Sequence, residues 1–261
     1  MEQPLKTSES NTILLLTASV NVGGMVFMAL QDVKIREQHY LDAIRFYYEN
    51  TSLPILLVEN TNHDFTARLP EDIRNSNRVE FLTFPGNNFP KERGKGYGEL
   101  ESMSHAVAHS KMINEKTVII KVTGRYKVIN IRDFVKAAMN NKYHQCQVLY
   151  FKGQRKAFSG IFCISKRFIE HYLIPNHELM NDTKGVYFEH VLATTLLDYV
   201  ADGSNYSLLP SFPRLSGISG TENIQHRTNN YSFWLRRQLL YKVVKVNYQL
   251  LDKLIRVFFQ G

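Results

Sequence analysis

The chain has 261 residues, 44% of them apolar and 21% charged, which is ample for one large α/β domain and excludes a generally disordered chain. Its formal net charge of +8 gathers in Lys91–Lys95, in Arg125–Arg132 and towards the C-terminus. That placement suits phosphate-bearing small molecules and an anionic membrane surface at least as well as nucleic acid.

Residues 1–11 are a polar tail that carries acids, unlike the basic start of a secretory signal. The apolar run Ile13–Leu16 is too short to span a bilayer, so a cytoplasmic chain without a transmembrane segment is expected. Cys146 and Cys163 make no disulfide framework and no metal spacing, and they read as reduced, partly buried core thiols. Thr12–Val20 reads as a buried strand, followed by the flexible Asn21–Gly24. From Val33 to Tyr48 apolar Ile35, Leu41, Ile44 and Tyr48 fall at helical spacing. Strands are expected at Pro54–Val58 and Val79–Phe84, ending in Glu59-Asn60 and Pro85–Asn88. Lys91–Gly98 is a basic, glycine-rich loop, and Glu99–Ser110 a helix with Leu100, Met103 and Val107 on one face. A fourth strand, Thr117–Val122, runs into Thr123-Gly124-Arg125-Tyr126.

This alternation builds a mostly parallel sheet with helices on its faces, an α/β fold. In such sheets ligands gather at the carboxyl ends of the strands, and here all four ends are polar or glycine-rich. Further on, strands are expected at Gln147–Lys152, Gly160–Ser165 and Tyr206–Leu209, and helices at Lys166–Tyr172 and Val186–Val200. Ser211–Arg227 reads as a loop, and Tyr231–Phe259 as a long final helix.

Four patterns in this order resemble the GT-A class of glycosyltransferases, in particular bacterial enzymes that assemble lipopolysaccharide O-antigens and capsules. They are Ile13–Ser19; Leu56-Leu-Val-Glu-Asn60; Gly94–Glu101 followed by Ile119–Tyr126; and Ser159–Ser165 followed by Tyr187-Phe-Glu-His190. The third is the most specific. The resemblance covers roughly residues 12–227 and implies a Rossmann-like GT-A domain there, leaving residues 228–261 as a basic C-terminal helix.

The resemblance also distributes roles. Thr17, Glu59, Asn60, Lys95, Gly96, Thr123, Arg125 and His226 fall on the donor side, with Glu59 and Asn60 reading base or ribose. A solvent-facing strand-end carboxylate is the plainer reading of Glu59. Lys95 and Gly96 sit where free N–H groups at a helix start favour an anion. Ser159, Gly160 and His190 fall on the acceptor side, and Glu189 takes the place of the general base in inverting members. Ser216–Thr221, glycine-spaced, reads as a mobile loop over the substrate.

One departure stands out. Where most members carry a metal-binding Asp-x-Asp, this chain has Thr123-Gly124-Arg125, with Lys121 before it. A metal cofactor is therefore not expected, and Arg125 with Lys95 would neutralise the departing diphosphate instead. The alternative is an arginine paired to a neighbouring carboxylate. The implied donor is a nucleotide sugar, by family habit UDP-galactose. The implied acceptor is a glycan on a polyprenyl diphosphate, and the residues do not separate an inverting from a retaining course.

The final helix has one acid, Asp252, against Arg236, Arg237, Lys242, Lys245, Lys253 and Arg256, with Trp234, Leu240, Val243, Val244, Leu250, Leu254 and Phe258 as apolar members. It is expected to lie peripherally on the inner face of the cytoplasmic membrane, or to dock on the domain or on a second copy in a homodimer. Two other classes compete: a nucleic-acid-binding module, which lacks any recognisable motif here, and an inactive scaffold of the same fold.

Overall fold

The computed structural model describes residues 12–25, 27–140, 146–219 and 224–259, and the backbone alone at residues 152 and 251–259. The polar tail and part of the Ser216–Thr221 loop lie outside the described residues. Strand β1 (Thr12–Ala18) leads to helix α1 (Val33–Asn50), β2 (Ile55–Glu59), the single turn α2 (Glu71–Arg74), β3 (Val79–Thr83), α3 (Lys95–His109) and β4 (Val118–Thr123). The second half holds β5 (Lys127–Val128), α4 (Ile131–Met139), β6 (Cys146–Gln147), β7 (Tyr150–Phe151), β8 (Lys156–Ala157), β9 (Ile161–Ser165) and α5 (Lys166–Phe168). It closes with α6 (Phe188–Ala201), β10 (Tyr206–Ser207), β11 (Leu215–Ser216) and α7 (Tyr231–Phe259).

Seven strands form one sheet in the order β10-β6-β9-β4-β1-β2-β3. All neighbours run parallel except β9, which is antiparallel to β4 and β6. The fold is α/β and Rossmann-like, with helices on both faces. That two-sided cover explains why β1 reads as an unbroken apolar run rather than an alternation. Leu14, Leu16 and Ala18 pack against Tyr40, Ile44 and Tyr47 of α1 and Phe134 of α4, whereas Ile13 and Leu15 meet Leu100 and Met103 of α3 and Leu192 of α6. Leu14, Leu15 and Leu16 have no exposed surface, and truncating one to alanine would cost about 2–5 kcal/mol.

Two boundaries and one facing differ from expectation. Helix α3 begins at Lys95, not Glu99, because Gly96 and Gly98 let its first turn pack closely. A Cβ at Gly96 would lie 2.5 Å from the Cβ of Phe188, and one at Gly98 would lie 2.8 Å from Asn60 Nδ2. The apolar spacing placed Ile35 inward on α1, yet it is exposed, and the buried face carries Arg36, Tyr40, Ile44 and Tyr47. The run Gln147–Lys152 divides between β6 in the main sheet and β7, which pairs with β8.

Helix α7 docks through one stripe. Trp234 Nε1 donates to Phe212 O (2.9 Å), Gln238 Oε1 accepts from Phe212 N (2.7 Å), and the Tyr241 hydroxyl and Lys245 Nζ both donate to Leu209 O (2.8 and 2.9 Å). Trp234 and Lys245, grouped by sequence with the membrane-seeking residues, thus belong to the domain-facing side. No helix among the described residues is long and apolar enough to cross a membrane.

Candidate functional site

A cavity of ≈ 410 Å³ opens at the carboxyl ends of β1, β2 and β4. The antiparallel β9 brings Ser159 and Gly160 to the same edge, where the N–H of Thr123 donates to Gly160 O (3.2 Å). Gly124 passes so close to β1 that its N–H donates to Thr17 O (2.9 Å) and a Cβ there would lie 2.6 Å from that oxygen. Of the residues singled out by sequence, Thr17, Asn60, Lys95, Gly96, Thr123, Arg125, Ser159, Gly160, Glu189 and His226 all line this one cavity. Glu59 and His190 do not.

Two guanidinium groups lie in its wall. Arg36 is 2% exposed, and its Nε donates to Ser19 O (2.9 Å) and Val20 O (3.1 Å) while Nη1 donates to Leu30 O (3.1 Å). Arg125 is 6% exposed, and its Nη1 donates to Ile218 O (3.3 Å) in the loop that follows β11. Among the described residues neither has a carboxylate at ion-pair distance. Glu222, in the loop beyond Ile218, lies outside the described residues. Burial pushes the Arg36 pKa down, and the Arg125 charge pushes the same way. Burying a cation without a counter-charge is costly, and for Arg36 the backbone oxygens together with the Tyr40 hydroxyl offset part of that cost. Arg36 escaped the sequence reading, although an arginine four residues before Tyr40, on one helix face, was the available signal.

Carboxylates gather on other parts of the wall. Lys121 shares a face of β4 with Ile119 and so points under α3, where it has no exposed surface. Its Nζ donates to Glu99 Oε1 and to Ser159 O (3.0 Å). The hydroxyls of Thr17 and Thr123 donate to the same Glu99 oxygen, each at 3.1 Å. Burial lowers the Lys121 pKa, and Glu99 partly opposes that shift. Glu189 Oε1 accepts from the Ser159 hydroxyl at 2.6 Å.

Asp182, which sequence reasoning missed, is the third acid. Burial raises its pKa to about 6, with Lys95 opposing and Glu189 reinforcing the shift. Its carboxyl accepts the backbone N–H of Lys95, and a Cβ at Gly94 (φ +83°) would overlap its Cγ at 1.9 Å. The start of α3, expected to offer free N–H groups to a phosphate, is thus capped by a side chain from a distant segment. No local sequence pattern announces such a cap.

Glu59 is fully buried beside the cavity rather than in it. Its oxygens accept from the N–H groups of Val20 (2.9 Å), Thr61 (2.9 Å) and His63 (2.8 Å), which knits the ends of β1 and β2 together. The solvent-facing alternative fails as well. Its neighbour Asn60 does reach the cavity. Asn60 Nδ2 donates to Gly98 O (2.9 Å) and Asn87 Nδ2 to Asn21 O (3.2 Å), which fixes both amides, and neither Oδ1 has a hydrogen-bond partner among the described residues. His190 Nδ1 accepts from the N–H of Tyr187 (3.1 Å), so it caps α6. The His226 ring meets Tyr126 edge-on at 4.4 Å. Among the described residues no group of three or more His, Cys, Asp or Glu side chains could hold a metal ion.

The sheet and this edge define an α/β, Rossmann-like protein with a ligand cavity at its strand ends. No protein-family model matches the chain, and no curated protein matches it. Among solved structures it is similar to HddC from Yersinia pseudotuberculosis, at 14% identity over 78% of this chain and 92% of that one, with a TM-score of 0.37.

Proposed function

We propose that the chain is a glycosyltransferase of the GT-A type, moving a sugar from a nucleotide-sugar donor to a hydroxyl of a lipid-linked surface glycan without a metal. The observation that carries this reading is one cavity holding three carboxylates and two buried guanidiniums that have no carboxylate partner among the described residues. The donor diphosphate lies against Arg125 and Arg36, with Lys95 adding charge. A nucleobase N–H supplies the donor that the buried Asn60 Oδ1 lacks.

The acceptor oxygen attacks the anomeric carbon as Glu189 takes its proton, and the bond from that carbon to the diphosphate oxygen breaks. The electron pair leaves with the nucleoside diphosphate, whose charge the arginines neutralise. This course inverts the anomeric centre. Ser159 holds the Glu189 carboxylate, and Gly160 leaves the acceptor room beside it. UDP-galactose is the first donor to test.

A thermal-shift screen of UDP-, GDP- and dTDP-sugars in chelator, followed by turnover assays on any hit, tests the reading. Stabilisation by at least one nucleotide sugar, retained in chelator, is expected. Binding that appears only when manganese is restored would remove the arginine-for-metal role, and stabilisation by oligonucleotides alone would replace the enzyme with a nucleic-acid binder.

A further inference from the structure

We infer that the outward face of α7 docks on an anionic lipid surface, with the helix lying in the interface rather than crossing it. This surface is separate from the cavity, and its argument does not depend on the chemistry proposed there.

The inward stripe of α7 runs Trp234, Gln238, Tyr241, Lys245, and all four are tied by hydrogen bonds to the segment from Leu209 to Phe212. Helical geometry puts Leu239, Val243, Val246 and Leu250 on the opposite side. They are 56%, 61%, 53% and 55% exposed, and nothing in the described chain covers them. Leu240 and Val244 widen the strip. An apolar strip of this length on one helix marks an interaction surface.

Charge selects the occupant. The exposed Arg237 and Lys242 border the strip on its two sides and the exposed Arg236 stands at its N-terminal end, and no acid occurs between Tyr231 and Leu251. A second copy of α7 would set basic flank against basic flank with no acid to answer it. An anionic headgroup layer answers the flanks while its acyl chains take the leucines and valines. With 29 residues the helix is about 43 Å long, yet it is not apolar enough to cross a membrane, so it lies flat.

The test is co-sedimentation of the full chain with vesicles of phosphatidylcholine alone or with about one-third phosphatidylglycerol. Partitioning at least tenfold stronger onto the anionic vesicles is expected, weakened several-fold by ~0.5 M salt through screening. Leu239→Gln with Val243→Gln should abolish it, and Arg236→Glu with Arg237→Glu should cut it at least tenfold. All four side chains are exposed, so melting temperatures should match the parent. The inference is overturned if the chain does not pellet with anionic vesicles, or if the Leu239→Gln, Val243→Gln protein pellets like the parent. A concentration-dependent dimer in sedimentation velocity, lost in that variant and without vesicle binding, would hand the face to a second copy.

Discussion

Lys121, wholly buried on β4, gives its ammonium to Glu99 Oε1 on α3, and the hydroxyls of Thr17 and Thr123 converge on the same oxygen. One carboxylate oxygen thereby ties the ends of β1 and β4 to a helix and sets the floor of the cavity. The two partners differ in exposure, since the Glu99 side chain keeps 16% of its surface and the Lys121 side chain none. Removing the acid should hurt more than removing the base. Glu99→Gln strands a buried ammonium and should cost about 3–5 kcal/mol, whereas Lys121→Met leaves a carboxylate that water and two threonines still solvate. Urea denaturation of the two variants reads the difference, and equal losses would contradict the asymmetry.

Much of this floor was legible in the sequence, but only one strand at a time. The succession of elements in the first half and the edge where the site sits follow from apolar runs ending in polar or glycine-rich turns, and ten of the twelve residues singled out through the family resemblance line the cavity. What was not legible depends on contacts distant in sequence. Arg36 joins the cavity only because α1 turns its Arg36–Tyr40 face inward, and of the residues that set the apolar spacing Leu41 and Ile44 are buried while Ile35 is exposed. Asp182 joins it by capping a helix that starts 87 residues earlier, at Lys95. Glu59 was placed one residue too generously, since β2 alternates sides and leaves the cavity to Asn60.

Arg125 predicts opposite effects on binding and stability. Arg125→Met should weaken UDP at least tenfold in calorimetry while changing uridine affinity less than threefold, because the loss falls on the diphosphate. The same change removes a buried cation that has no carboxylate partner among the described residues, so the ligand-free protein should melt about 2–4 °C higher. A variant that is destabilised and binds UDP normally would show that Arg125 serves the loop at Ile218 alone.

Asp182 predicts a pH signature. Its folded pKa, about 6, lies above the unfolded value of 3.8, so the folded chain holds the proton more tightly. The stability this group adds is fully present below about pH 3.8 and is lost as pH rises through 6. Asp182→Asn keeps the shape and cannot ionise. The variant should therefore gain on the parent by about 2–3 kcal/mol between pH 4 and pH 7.5 in chemical denaturation. A constant gap across that window would mean that capping Lys95 favours the charged carboxyl as much as burial opposes it.

The last relationship is the 2.6 Å hydrogen bond from the Ser159 hydroxyl to Glu189 Oε1. If Glu189 takes the acceptor proton, Glu189→Gln should lower kcat by about 10²–10⁴ while donor affinity stays within twofold. Ser159→Ala leaves the carboxylate in place but frees its rotation, so kcat should fall about tenfold with an unchanged KM for the donor. Ser159→Thr restores a hydroxyl and should recover most of that loss, which a purely structural role for Ser159 would not require. Pre-steady-state product formation with a saturating donor separates these effects from slow release. A Glu189→Gln protein that turns over at the parental rate would remove Glu189 as base and move the search to Asp182, a cavity carboxyl whose pKa burial raises to about 6.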